Sequence, residues 1–175
     1  MSTVCTLITG AADGLGRSFV HGCAARGHNI IMVAPPGSKL MLLGAHFEKH
    51  FGIKCYGIEV DICQNGSIDE ICSFLDRHQL DVNVLINNAG IEHLQAFEEL
   101  SPEFLQTQFA INMICPAMLI HRLLPMLKQT APSHIINIGS MSCLSASPGP
   151  KHYASEKSFL THLSLSLREE LSKYN

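Results

Sequence analysis

Five short apolar runs take turns along this chain with longer stretches of helical period, and that alternation limits the fold more than any other feature. The runs are Val4 to Thr9, Asn29 to Ala34, Lys54 to Val60, Val82 to Asn87 and His134 to Gly139. Between and after them lie Leu15 to Arg26, Ser38 to Phe51, Ser67 to His78, Ser101 to Lys128 and Lys151 to Tyr174. A run short enough for a strand but apolar throughout must be covered on both faces, as happens in a parallel sheet between two helix layers. The expected class is therefore α/β, a doubly wound parallel sheet. With 175 residues there is room for one domain and one core, and 46% apolar against 15% charged residues excludes a disordered chain.

Local signals agree with these elements. Ser67 and Glu70 have the spacing of a capping box, Ser101-Pro102 reads as a cap followed by a first-turn proline, and Gly27 reads as a helix stop. A formal charge of −3 without a basic block argues against a nucleic-acid surface, leaving small molecules as the expected partners. Seven cysteines, odd in number and without a C-x-x-C pair, read as reduced thiols of a cytoplasmic protein. The N-terminus lacks a basic region ahead of an apolar run, and Met113 to Ile120 is too short to cross a bilayer, so no membrane association is expected. His46 and His50 stand four apart on a predicted helix, but without HExxH order or a third ligand they give no metal site.

The first strand runs directly into Thr9-Gly10-Ala11-Ala12-Asp13-Gly14-Leu15-Gly16, where backbone N–H groups and a helix dipole can hold a pyrophosphate. Asn87-Asn88-Ala89-Gly90 ends the fourth strand, Asp61-Ile62 follows the third, and Ser140 follows the fifth. All of these lie at the carboxyl edge of the sheet, where open α/β folds bind ligands. Tyr153 and Lys157 are one helical turn apart and so share a face. Pro116 cannot give an N–H to the Asn112 carbonyl, which is thereby left able to hold a water.

Taken together, TGAADGLG, NNAG, Asn112, Ser140 and Y-A-S-E-K resemble the short-chain dehydrogenase/reductase family, in family order and over residues 3 to about 173. The resemblance implies a single Rossmann-type dinucleotide-binding domain over residues 1–175 and hydride transfer between NADP(H) or NAD(H) and a carbonyl or alcohol. It implies Tyr153 as acid/base, Lys157 as the cation that favours the phenolate, Ser140 as a hydrogen-bond donor to the substrate oxygen, and Asn112 as part of a proton relay. It assigns cofactor binding to Gly10, Asp13, Gly14, Leu15, Gly16, Asp61, Ile62, Asn88, Ala89, Gly90, Tyr153 and Lys157, and implies a homo-oligomer.

Three departures from the family pattern stand out. The second strand ends Val33-Ala34-Pro35-Pro36-Gly37-Ser38-Lys39, with no acid to repel a 2′-phosphate, which favours NADP(H). Glu156 replaces a residue that is usually small, and it is expected to face solvent. Family members run to roughly 250 residues, so their last two strands and substrate lid have no counterpart before Asn175. That leaves the fifth strand as an edge and uncovers the apolar face of the last helix, Phe159, Leu160, Leu163 and Leu167. The competing expectation is a nucleotide-binding pseudoenzyme or fragment that serves as a binding module.

Overall fold

Strand β1 (Thr3–Thr9) lies at the centre of a parallel sheet, between β2 (Asn29–Ala34) and β4 (Leu80–Asn87). With β3 (Cys55–Glu59) and β5 (His134–Asn137) the order is β3-β2-β1-β4-β5, the expected doubly wound sheet. The computed structural model describes residues 2–144 and 151–174. The chain winds outward from β1 in one direction through β2 and β3, then crosses back to β4 and β5. A crevice therefore opens between the carboxyl ends of β1 and β4.

Helices α1 (Gly14–Ala24) and α2 (Leu40–Phe51) cover one face of the sheet. The other face carries α3 (Ser67–His78), α5 (Cys115–Gln129) and α6 (Lys151–Leu171). Strand side chains alternate accordingly. Leu7, Ile31, Val33 and Leu85 pack with α3 and α5, whereas Ile8, Ile30, Met32 and Ile86 pack with α1 and α2. A register shift between Cys5 and Thr6 against β4 keeps Val82 and Leu85 on one face although they are three apart. The seven cysteines are free, and burial pushes the thiols of Cys5 and Cys115 up to about 12, so both are uncharged core groups.

Three local expectations change. The stretch from Ser101 to Lys128 is not one regular helix: α4 (Pro102–Phe109) passes through a π turn, Ala110–Ile114, into α5. The widening stands directly before Pro116, whose missing N–H already interrupts the ladder there. Taken through that turn, Pro102–Gln129 spans 28 residues with a mean hydropathy of 1.4 in its most apolar window, long and apolar enough to cross a membrane, which the shorter run considered from sequence concealed. In this fold Leu119, Ile120, Leu123 and Leu127 lie buried against the sheet. Ser67 forms no capping box, because Gly66 is the cap residue and the buried Ser67 hydroxyl donates to the Ile62 carbonyl at 2.7 Å. Ser101 does cap α4, accepting from the Phe104 N–H at 3.1 Å.

At the other end of the sheet β5 is an edge strand. Beside it, an open groove of about 660 Å³ runs between β5, the end of α5 and the C-terminal half of α6. The last helix is less bare than its sequence suggests: Leu160 is buried and Leu163 and Leu167 pack on the core, while Phe159 stays exposed.

Candidate active site

Two glycines with positive φ, Gly10 at 65° and Gly14 at 49°, shape the turn from β1 into α1. A side chain at Gly10 would meet Asn88 Nδ2 at 2.9 Å and the Ala89 backbone at 3.0 Å, so only glycine lets β1 and β4 close at this point. At Gly14 nothing lies within 4 Å of a would-be Cβ, which leaves open space over the N-terminus of α1. The first N–H groups of that helix have no carbonyl of their own helix to bond, and with the dipole they suit an anion such as a pyrophosphate. Asp13 is the cap residue in extended conformation and makes no side-chain cap bond, while Leu15 is exposed at the rim.

Hydrogen bonds lock this turn to the NNAG segment. Thr9 Oγ1 accepts the N–H groups of Asn88 and Ala89, each at 3.0 Å. Asn88 Nδ2 donates to the carbonyls of Thr9 at 3.0 Å and Gly10 at 3.2 Å. Sequence reasoning assigned Asn88, Ala89 and Gly90 but gave no role to Thr9, the buried acceptor that holds two of their amides. Its signal was its place at the end of β1, directly before the first glycine.

Asp61 turns its carboxylate onto its own loop, accepting from the Cys63 N–H and Gln64 Nε2, both at 3.0 Å. The adjacent Ile62 is buried, and its carbonyl takes the hydroxyl of Ser67 and the thiol of Cys115. In the segment after β2, the Gly37 and Leu40 N–H groups donate to Glu59, each at 2.8 Å, and these bonds hold its carboxyl below the usual range. Ser38 donates to the Pro35 carbonyl, and Lys39 is the left-handed cap of α2. On the same helix His50 Nδ1 lies 2.8 Å from the His46 carbonyl, so that pair is engaged along the helix backbone.

The four residues assigned to chemistry come from three segments. A chain of amide and hydroxyl groups, Asn87 Nδ2 to Asn137 Oδ1 and Asn137 Nδ2 to Ser164 Oγ, each 2.8 Å, ties β4 and β5 to α6. On that helix Lys157 Nζ donates to the Ile138 carbonyl at 2.8 Å and lies 5.5 Å from the centre of the Tyr153 ring. Asn112, in the π turn, pairs with both backbone groups of Ile91: its Oδ1 accepts the N–H at 3.0 Å and its Nδ2 donates to the carbonyl at 2.7 Å. A Cβ on Gly90 would meet Asn112 Oδ1 at 2.9 Å and Lys157 Nζ at 3.6 Å, so these three positions converge. Ser140 opens the short turn that packs on α6, and its Oγ accepts the Ser142 N–H at 3.2 Å and the Ser142 hydroxyl at 2.8 Å.

Glu156 does not face solvent. It is fully buried, and its Oε2 accepts from Asn112 Nδ2 at 2.5 Å. The expectation considered only the neighbouring side chains along α6. In the fold α6 is covered here by the π turn as well as by the sheet, so successive positions 156 and 157 are both interior.

Burial sets the resting charges of the pair. It is the largest influence on the Tyr153 phenol, which lies above its usual 10, with Glu92 and Glu156 adding to the effect. Burial likewise lowers Lys157 from its usual 10.5, partly opposed by Glu156 and Glu92. A phenol that keeps its proton at neutral pH is in the state required to protonate a developing alkoxide.

The chain is similar to several known proteins. A very-long-chain 3-oxoacyl-CoA reductase of Pyricularia oryzae is 34% identical over 170 residues, covering 94% of this chain and 51% of that protein. The human inactive hydroxysteroid dehydrogenase-like protein 1 is 26% identical, covering 94% of this chain and 50% of its own. The chain thus spans about half the length of these curated relatives. A Sphingobium yanoikuyae short-chain dehydrogenase solved in complex with NADPH superposes with a TM-score of 0.88 at 27% identity, covering 99% of this chain and 67% of that one. The short chain dehydrogenase family profile matches residues 4–175, and the chain belongs to that family.

Proposed function

We propose that this chain carries the cofactor half and the acid/base group of an oxidoreductase that moves a hydride between NADP(H) and a carbonyl or alcohol. The observation that carries the reading is the Tyr153–Lys157 pair on α6, with Lys157 anchored on Ile138 and Gly90 and Asn112 beside it. When bound, the nicotinamide supplies or accepts the hydride. Gly10, Asp13, Gly14, Leu15 and Gly16 would hold its pyrophosphate side, Asp61 and Ile62 its adenosine side, and Ala89, Gly90, Tyr153 and Lys157 its ribose and reactive ring.

In the reductive direction Tyr153 gives its proton to the substrate oxygen as negative charge develops there, with Ser140 as a second donor. Ser140 only accepts from Ser142, so these bonds leave its own hydroxyl proton available to donate. Lys157 offsets the phenolate that remains. The absence of an acid at the end of β2, the engagement of Glu59 by the loop amides and the NADPH-bound neighbour all support NADP(H) over NAD(H). Free thiols support a cytoplasmic setting. Ile114 and Met118, exposed one turn apart, support a homo-oligomer.

The test is a fluorescence titration of NADPH and NADH, followed by a carbonyl-reduction screen of the chain and of Tyr153→Phe. Saturable binding that is tighter for NADPH, with turnover lost and binding kept in the variant, is expected. Failure to bind either cofactor refutes the reading, and unchanged turnover in the variant removes Tyr153 from the chemistry.

A further inference from the structure

The proposed reaction leaves one buried acid of the site without a task. Glu156 stands where α6 packs on the π turn, and its Oε2 takes a hydrogen bond from Asn112 Nδ2. The same Asn112 amide holds the Ile91 backbone on both sides, so one side chain joins the β4 loop, the π turn and α6. Beyond it, Glu156 Oε1 and both polar atoms of the fully buried Gln108 have no hydrogen-bond partner, although the two side chains adjoin. An amide can present its N–H2 to a carboxylate or, after a half rotation, its oxygen to a protonated carboxyl. The pocket therefore accommodates either state of Glu156 without releasing Asn112.

We propose that Glu156 is a positioning residue for the Tyr153–Lys157 pair, its carboxylate holding the Asn112 junction and setting a buried negative charge beside both groups. The proposal rests on the reading of Tyr153 as the acid. Burial raises the Glu156 carboxyl, while the bond from Asn112, the adjoining Gln108 amide and the charge of Lys157 lower it. Among the described residues, the other charged or titratable groups acting around the pair are Glu92 and His93 on the loop after β4 and His152 on α6, and the groups that α4 and the π turn contribute beside Glu156 are the neutral amides Gln108 and Asn112. Once ionised, Glu156 opposes Lys157 and keeps the phenol protonated to higher pH.

Glu156→Gln separates charge from shape, because its amide oxygen still accepts from Asn112 Nδ2. The measurement is an ultraviolet phenolate titration of the unliganded chain, with the Tyr153 step assigned by subtracting Tyr153→Phe in each background. The step is expected about one pH unit lower in Glu156→Gln, the size of one like charge removed from a partly buried pair. An unmoved step in a folded variant overturns the proposal and leaves Glu156 as a structural acceptor. Should the variant not fold, the ring-carbon resonance of Tyr153 in the wild-type chain provides the second reading. It must show an inflection above pH 4.5 as Glu156 ionises, and a flat trace from there to the phenol's own titration also overturns it. Neither reading needs cofactor or turnover, so a failed hydride-transfer assay is distinguishable from a failure here.

Discussion

Replacing Gly16 by alanine should unfold the glycine turn, whereas the same change at Gly14 should leave it nearly intact. A Cβ on Gly16 would overlap the Gly10 carbonyl oxygen, with the carbonyl carbon and Asn88 Nδ2 both at 2.7 Å, inside the 3.0 Å that real Cβ atoms keep. These neighbours cannot yield cheaply. The Gly10 carbonyl and Asn88 Nδ2 are bonded to each other, Asn88 also holds Thr9, and Ala11 N–H is fixed on the Val33 carbonyl. Moving the turn forfeits both Asn88 bonds, at roughly 1 kcal/mol each, and adds about 1–3 kcal/mol of overpacking. The total is about 3–5 kcal/mol, a large share of the roughly 5–15 kcal/mol that holds a domain together. Gly14 has free space around it and faces only its positive φ, for which a side chain costs about 1–2 kcal/mol. Urea denaturation followed by circular dichroism measures both, and the melting temperature of Gly16→Ala should fall on the order of 10 °C. Equal losses in the two variants would refute the argument that close approach, and not backbone conformation, fixes glycine at position 16.

The lock between β1 and β4 predicts that Thr9→Val, which removes the acceptor of two backbone amides, costs about 2–4 kcal/mol, while Thr9→Ser keeps most of the stability; denaturation midpoints decide between them. Tyr153→Phe should retain the affinity of the unsubstituted chain for NADPH within about threefold, equivalent to roughly 0.6 kcal/mol, and a larger loss by fluorescence titration would give the hydroxyl a binding role. The folded chain holds the Glu156 proton more tightly than the unfolded chain, whose carboxyl has the ordinary value of 4.5, so this group withdraws stability as pH rises from 4.5 through its raised folded value. The stability of the wild type minus that of Glu156→Gln should therefore fall over that window, and a difference independent of pH would contradict the raised value.

The five strands and the residues gathered at the carboxyl edge of the sheet were legible because their signals are local. Apolar runs of strand length mark the buried strands, and the glycines at 10, 14 and 16 sit where the chain must turn tightly. What escaped the sequence depends on contacts between segments distant along the chain. Glu156 reads as a surface acid because its partner Asn112 is 44 residues away, on a turn whose widening a helical period does not reveal. Thr9 is an ordinary strand threonine until β4 brings two unpaired amides to it, 79 and 80 residues along the chain. Ser67 fits the spacing of a cap, yet the Ile62 carbonyl supplied by the preceding loop draws its hydroxyl away.

The π turn before Pro116 joins the two halves of the longest helical stretch. Each residue of an α-helix advances its side chain by about 100°, and the turn closes from Ala110 to the Cys115 N–H, one residue wider than a regular turn. A π turn takes in one residue more than an α turn over a similar rotation, so removing one residue between 110 and 114 would restore ordinary pitch and shorten the helix with α4 and α5 close to their present phase, while the positions inside the turn shift. Asn112 stands inside this widened turn, bonded to both Ile91 and Glu156. A deletion that makes the helix more regular should therefore leave both helical halves seated while it disturbs the bonds of Asn112 to Ile91 and Glu156.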